Sequence, residues 1–252
     1  DAIEQAFFGV PAYGEGNSVQ PLLDAIPADF LGHRRYRCGN DMISTWAGSL
    51  GGEDGIGIVA GTGSIGYGER AGRSARAGGW GELFSDEGSA FWIAVQALNV
   101  FSRMSDGRLP RGPLHAILVR AFKLTEDLEL CAYLTSAEGP TRDRIASFCP
   151  LVAQAADEGD ERARAIFEAA GRELAAIAAS IRTALGYAAG VRVPLSYSGG
   201  VFETGDKVLA PFRRSLLKQS GDFDLRKPLL PPGAGAALYA ARDSGRPLDA
   251  SA

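Results

Sequence analysis

The run Gly55-Ile56-Gly57-Ile58-Val59-Ala60-Gly61-Thr62-Gly63-Ser64-Ile65-Gly66-Tyr67-Gly68 restricts the fold more than any other stretch of the chain. It opens as a short apolar run, breaks into a turn of small residues at Gly61–Ser64, and resumes as Ile65 and Tyr67 between glycines. Without Cβ atoms in the way, backbone N–H groups in such a turn can converge on an anion. Gly61-Thr62-Gly63-Ser64-Ile65-Gly66 also spells the G-x-G-x-x-G of a dinucleotide loop, but that loop must open a helix. The downstream residues, Tyr67-Gly68-Glu69-Arg70-Ala71-Gly72 and then Gly78-Gly79, have no helical apolar period and too many glycines to nucleate a helix. The spacing predicts strand, tight turn, strand. Taken alone, the turn either cradles phosphate or is a plain hairpin turn. It lacks the G-K-[ST] of a Walker loop.

The 252 residues suffice for one or two domains with a large core. A net charge of −4 argues against a nucleic-acid partner, and Arg34-Arg35-Tyr36-Arg37 reads as a solvated loop before a strand. No apolar stretch reaches membrane-spanning length and no signal peptide is visible, so no membrane partner is expected. Cys38, Cys131 and Cys149 are far apart and lack C-x-x-C spacing, which fits a reducing cytoplasm and argues against a cysteine-bound metal. His33 and His115 cannot make a metal cluster alone, and His115 reads as a helix-surface or satisfied partly buried residue. No metal site is assigned to protein side chains.

Along the chain, Ala2–Gly9 reads as a helix end entering a short strand, Val19–Ala25 as a helix ended by Pro27, and Tyr36–Cys38 as a strand. Asn40-Asp41 then precedes a helix at Met42–Leu50. Gly51–Gly55 marks a domain boundary, and Arg70–Arg76 a polar turn. Helices are predicted at Ala90–Met104, Leu114–Phe122, Glu126–Leu134 (capped by Thr125) and Asp143–Ala156 with a break near Pro150. Asp160 caps the longest helix, running to about Ala189. Val191–Tyr197 is a strand, Val208–Gln219 a helix, Phe223–Leu225 a strand and Ala234–Arg242 a closing helix.

Four further features carry chemistry. Asn40-Asp41 stands at a strand-to-helix corner, where the carboxylate accepts a hydroxyl proton or the pair simply caps the helix. Gly78-Gly79-Trp80-Gly81 presents one large aromatic that stacks on a ligand or plugs a core. Ser85-Asp86-Glu87-Gly88-Ser89 puts two acids in a first helical turn, for the helix dipole or for ligand hydroxyls. Ser196-Tyr197-Ser198-Gly199-Gly200-Val201-Phe202 ends a strand in a double glycine, a seat for a flat ligand or a turn into a helix.

In this order the motifs resemble the N-acetylglucosamine kinase family, which groups with the BadF/BadG/BcrA/BcrD-type ATPases in the actin-like ATPase superfamily. The resemblance covers Phe7 to Ala240 and is strongest over Gly61–Trp92. It implies an α/β, actin-like ATPase (ribonuclease H-like) fold: a mixed sheet flanked by helices, with the first domain incomplete. Residues 1–53 would be the C-terminal part of the first domain. Residues 54–232 would be the second, with a helical insertion at about 90–156. Residues 233–252 would be a closing helix packed back on the first domain, plus a tail. The resemblance makes Asp41 the catalytic base and places ATP phosphates on Gly61, Thr62, Gly63 and Ser64. Gly199 and Gly200 would take the adenosine, and Asn40, Asp41, Thr62, Gly63, Gly79, Trp80 and Asp86 the sugar. The implied reaction is transfer of a phosphoryl group from Mg²⁺-ATP to the 6-hydroxyl of N-acetylglucosamine or glucosamine. The partners are then the small sugar and ATP, and a homodimer is left open.

The sequence departs from the family pattern in three places. The Asp-Gly-Gly-Gly-Thr-type first phosphate loop does not occur in the chain; the expectation is that the complete gene encodes it upstream, which leaves the activity of these 252 residues open. Ile65 stands where familiar vertebrate members carry Asn, and Ser85 replaces the usual Gly before Asp-Glu-Gly-Ser. Both changes bear on the sugar 2-substituent and keep glucosamine, with its ammonium near Asp86, an alternative. Two other readings remain: an activator ATPase of a CoA-ester dehydratase, and a non-catalytic sugar-binding or regulatory homologue.

Overall fold

The computed structural model describes residues 3–14, 16, 18–136, 139–219 and 222–248. The chain opens with β1 (Ala6–Val10), α1 (Gln20–Leu31), β2 (Tyr36–Asn40) and α2 (Asp41–Leu50), then runs three strands in succession, β3 (Gly55–Ala60), β4 (Ser64–Arg70) and β5 (Arg73–Gly78). Next come helices α3 (Ala90–Ser105), α4 (Pro113–Phe122), α5 (Glu129–Thr135), α6 (Arg142–Ala146), α7 (Cys149–Asp157) and α8 (Glu161–Ala184). The chain continues through β6 (Val193–Ser198), α9 (Asp206–Gln219), β7 (Phe223–Arg226) and α10 (Pro232–Asp243).

The glycine run is the hairpin β3–β4, with Ala60 opposite Ser64 across the turn. It seeds a five-stranded mixed sheet of order β5-β4-β3-β6-β7, antiparallel on the hairpin side and parallel from β3 to β7. The alternating glycines serve packing as well as the turn. A Cβ on Gly66 would lie 2.6 Å from both Ile177 and Ile181, so its absence lets α8 sit directly on the sheet. Helix α8 is set by its cap: Asp160 accepts from the N–H groups of Arg162 and Ala163 at 2.9 and 3.0 Å, and its second oxygen takes Leu114 N–H at the start of α4. The larger apolar cluster lies between this sheet and α3, α4, α7, α8 and α9.

A smaller cluster forms around Trp46, which is fully buried on α2 with Phe7, Met42, Leu50, Tyr67 and Tyr239. Trp46 Nε1 donates to Gly55 O at 3.1 Å, and the Tyr67 and Tyr239 rings meet it edge-on. Helix α10 crosses α2 at backbone distance. A Cβ on Gly235 would collide with Ser44 O and Gly48 N, and one on Gly48 would lie 2.7 Å from Pro231 O. Leu229 and Leu230 N–H groups reinforce the crossing by donating to Ser49 O and Gly48 O. Strands β1 and β2 form their own parallel pair beside it.

Several expectations need correction. Helix α1 runs through Pro27 to Leu31, and the carbonyl that Pro27 leaves without its helical donor, Leu23 O, accepts from Cys38 Sγ at 3.6 Å. Ile3–Gln5 is not helical. The polar turn expected over Arg70–Arg76 is confined to Ala71 and Gly72, and the rest is strand. Thr125 does not cap α5; its N–H donates to Glu129 Oε2 ahead of a helix that begins later than expected. Helix α8 stops at Ala184, short of Ala189, because Gly186 takes a left-handed turn.

Gly235→Ala tests the crossing. The added methyl has no space, and overpacking of this kind costs about 1–3 kcal/mol. Calorimetry should show Tm falling by about 2–4 °C for each of those kcal/mol. The same change at Gly233, which has open space around it, should leave Tm within about 1 °C.

Candidate active site

A cleft of about 420 Å³ opens where the hairpin turn, the start of α2, the end of β6 and the start of α10 converge. Its floor is the turn. Gly61 N–H donates to Gly63 O at 2.9 Å, while Ala90 and Phe91 at the start of α3 donate to Gly61 O and Thr62 O. All three turn carbonyls are therefore engaged. The N–H groups of Thr62 and Gly63 have no partner among the described residues. The Ser64 hydroxyl donates to Glu87 O at 2.7 Å, tying the turn to the loop after β5.

Asn40 and Asp41 form the wall opposite. Asn40 caps α2, accepting from Met42 N–H at 3.0 Å, and its amide lies 3.4 Å from Tyr13 O. Asp41 is the first residue of α2, half-buried on the cleft, where the helix dipole favours its charge. Ser198 and Gly199 close the far end. Gly199 has φ +102°, and a Cβ there would strike Ala60 O, so glycine is required by both conformation and space.

Asp86 does not sit in a first helical turn as expected. Ser89 is the N-cap of α3, accepting from Trp92 N–H at 3.1 Å, and Asp86 lies ahead of it in a left-handed turn with φ +59°. Four non-glycine residues among those described have positive φ, and two of them, Ala12 and Asp86, line this cleft. The Asp86 carboxylate is almost fully buried and bonded to the guanidinium of Arg142. Burial pushes its pKa up, while Arg142 and the Ser64 N–H, 3.5 Å away, pull it down. A Cβ on Gly63 would collide with Arg142 Nη2 and lie 2.9 Å from Asp86 Oδ2.

Of the residues singled out from sequence, the structure gathers Asn40, Asp41, Gly61, Thr62, Gly63, Ser64, Gly79, Asp86 and Gly199 on one cleft. Trp80 is not on it: its side chain is 73% exposed beside Leu83 and Phe84 on the loop after β5. Gly200 is exposed just beyond Gly199 and does not line the cleft. Sequence reading missed Arg142, 56 residues from its partner; its only local signal was a basic residue after Thr141, a good N-cap. Among the described residues no group of three or more His, Cys, Asp and Glu is placed to hold a metal. None of the described helices is long and apolar enough to cross a membrane.

The sequence profile of the BadF/BadG/BcrA/BcrD ATPase family matches residues 1–240. An N-acetylmuramic acid/N-acetylglucosamine kinase of Clostridium acetobutylicum is 36% identical over 136 residues, 54% of this chain and 44% of that protein. An N-acetyl-D-glucosamine kinase of Dictyostelium discoideum is 31% identical over 128 residues, 50% of this chain and 40% of that one. Each match therefore reaches less than half of the relative's length. A candidate N-acetylglucosamine kinase from Chromobacterium violaceum superposes with a TM-score of 0.72 at 27% identity, covering 94% of this chain and 76% of that one. The fold is that of the actin-like ATPase sugar kinases, as the resemblance implied.

Gly63→Ala tests the packing of the turn against the ion pair. Overpacking of about 1–3 kcal/mol should lower Tm by several degrees in calorimetry. Gly61→Ala, with nothing near its Cβ direction, should leave Tm close to that of the wild type.

Proposed function

The chain belongs to the BadF/BadG/BcrA/BcrD ATPase family, and from that premise we propose that it forms the substrate cleft of an ATP-dependent amino-sugar kinase acting at the 6-hydroxyl. The observation that carries this reading is the pairing, on one cleft, of a turn whose Thr62 and Gly63 N–H groups have no partner among the described residues with a carboxylate at the opposite wall. Thr62 and Gly63 would hold the phosphates, with Gly61 and Ser64 shaping the turn. Asp41 would orient the sugar 6-hydroxyl and accept its proton as the phosphoryl group transfers. Gly199 would let the nucleotide lie against the end of β6, with Gly200 at its edge. Residues 1–53 with the closing helix α10 would form one wall and residues 54–232 the other, closing on substrate to exclude water.

Asp41 and Asp86 are the carboxylates lining the cleft, and Asp86 is committed to Arg142. That donor set suits Mg²⁺ carried on the nucleotide phosphates better than a protein cage. Bound with ATP, Mg²⁺ would supply charge neutralisation at the phosphates.

The ion pair also bears on the substrate. A carboxylate already paired with a guanidinium has less pull on an ammonium group, so the pair favours N-acetylglucosamine over glucosamine. Both sequence relatives are named for N-acetylated sugars.

The test is a coupled kinase assay on the full-length gene product with glucose, glucosamine and N-acetylglucosamine. N-acetylglucosamine should turn over fastest, and Asp41→Asn should lower kcat by about 10²–10⁴-fold. Near-normal rates from the variant would remove Asp41 from the role of base.

A further inference from the structure

We infer that Arg142 is a positioning residue of this cleft: reaching in from the helical segment between β5 and β6, it holds the Asp86 carboxylate charged and aimed at the sugar. The inference rests on the kinase reading and names a residue on which that reading's sugar wall depends.

The backbone launches the guanidinium from a fixed point. Arg142 is the first residue of α6, directly after Thr141, whose hydroxyl accepts from Arg144 N–H at 3.3 Å. Among the described residues lining the cleft, Arg142 is the only cation. It meets Asp86 and the open face of Gly63 together, so its place is set by the turn as well as by the acid.

Asp86 needs such a partner. Its side chain is 3% exposed, and a buried carboxylate without a counter-charge favours the protonated form. Glu82 and Glu87, on the same loop, both disfavour its charge. From β4 the Ser64 N–H approaches it at 3.5 Å, and at the start of α3 its backbone carbonyl accepts from Ser89 N–H. From α6 comes Arg142, the charge that most lowers its pKa. Arg142 Nε is buried without a hydrogen-bond partner and lies 3.5 Å from Glu82, which places the guanidinium between two acids. Without Arg142, Asp86 would face two carboxylates and bind a proton more readily, and once protonated it would cease to be a two-oxygen acceptor for sugar hydroxyls.

Removing the guanidinium removes the largest influence lowering the Asp86 pKa, so the carboxyl should titrate at higher pH. The experiment compares the wild-type gene product with Arg142→Gln and Arg142→Lys. In ¹³C NMR of protein labelled at aspartate carboxyls, with Asp86→Asn for assignment, the Asp86 signal should titrate about 1–3 pH units higher in Arg142→Gln. Arg142→Lys should bring it back toward the wild type. The acid limb of kcat/KM for the amino sugar should move the same way. A uniform loss with an unmoved limb, or unmoved titration curves, overturns the inference; so does a folded Arg142→Lys that titrates like Arg142→Gln. If the wild-type protein phosphorylates no amino sugar, the kinase reading fails. The carboxyl titration then decides the coupling alone, and the sugar role is withdrawn.

Discussion

The cleft exists because α2 and α10 touch backbone to backbone at Gly48 and Gly235. The start of α2 carries Asn40 and Asp41, and the start of α10 brings Pro232 to the same opening. Any side chain at the crossing would push the two helices apart and move the wall that holds the carboxylate. Two backbone hydrogen bonds, from Leu229 and Leu230 to the end of α2, fix how far along its neighbour α10 begins. The geometry at the cleft is thus set partly by a contact between two residues without side chains.

A polar knot continues from that crossing into the sheet. Glu69, buried on β4, accepts from the Tyr67 and Tyr239 hydroxyls at 2.6 and 3.2 Å and pairs with Arg242 at 2.7 Å. Arg242 also lies over the rings of Trp46 and Tyr239. A buried charge with this many partners is tolerated, whereas breaking such a pair strands the remaining charge. Burial and Glu69 push the Tyr67 hydroxyl well above its ordinary pKa. The knot fastens α10 to the large sheet through β4, the second strand of the same hairpin whose turn floors the cleft. The same device recurs at Asp86 and Arg142, where a buried acid and a distant arginine tie a helical segment to the turn.

Features encoded within a few residues were legible in the sequence. Asn40 and Asp160 cap helices as their side chains and positions suggest, and the glycine run forms a hairpin because nothing directly after it can be helical. Features that depend on a partner far along the chain were not. Pro27 reads as a stop until Cys38, on the next strand, is seen to take the stranded carbonyl. Asp86 reads as a helix-dipole acid until Ser89 proves to be the cap and Arg142 the partner. Gly235 reads as one small residue in a small-residue helix, since packing against Gly48 leaves no local mark. Trp80, an aromatic among glycines, is exposed together with Leu83 and Phe84 on the same loop, so it does not plug the core.

The proposed phosphate site rests on the polarity of the turn. A helix N-terminus offers unpaired N–H groups and is itself a natural anion site. Here the first N–H groups of α3 are directed onto the carbonyls of Gly61 and Thr62, and Gly63 O is taken within the turn. Each carbonyl of the turn therefore already accepts a hydrogen bond, whereas the N–H groups of Thr62 and Gly63 have no partner among the described residues. The helix in effect passes its positive end through two hydrogen bonds to a loop lying deeper in the cleft. On the proposed reading, phosphate oxygens would meet those donors, and Asp41 on the opposite wall would act on a hydroxyl lying between.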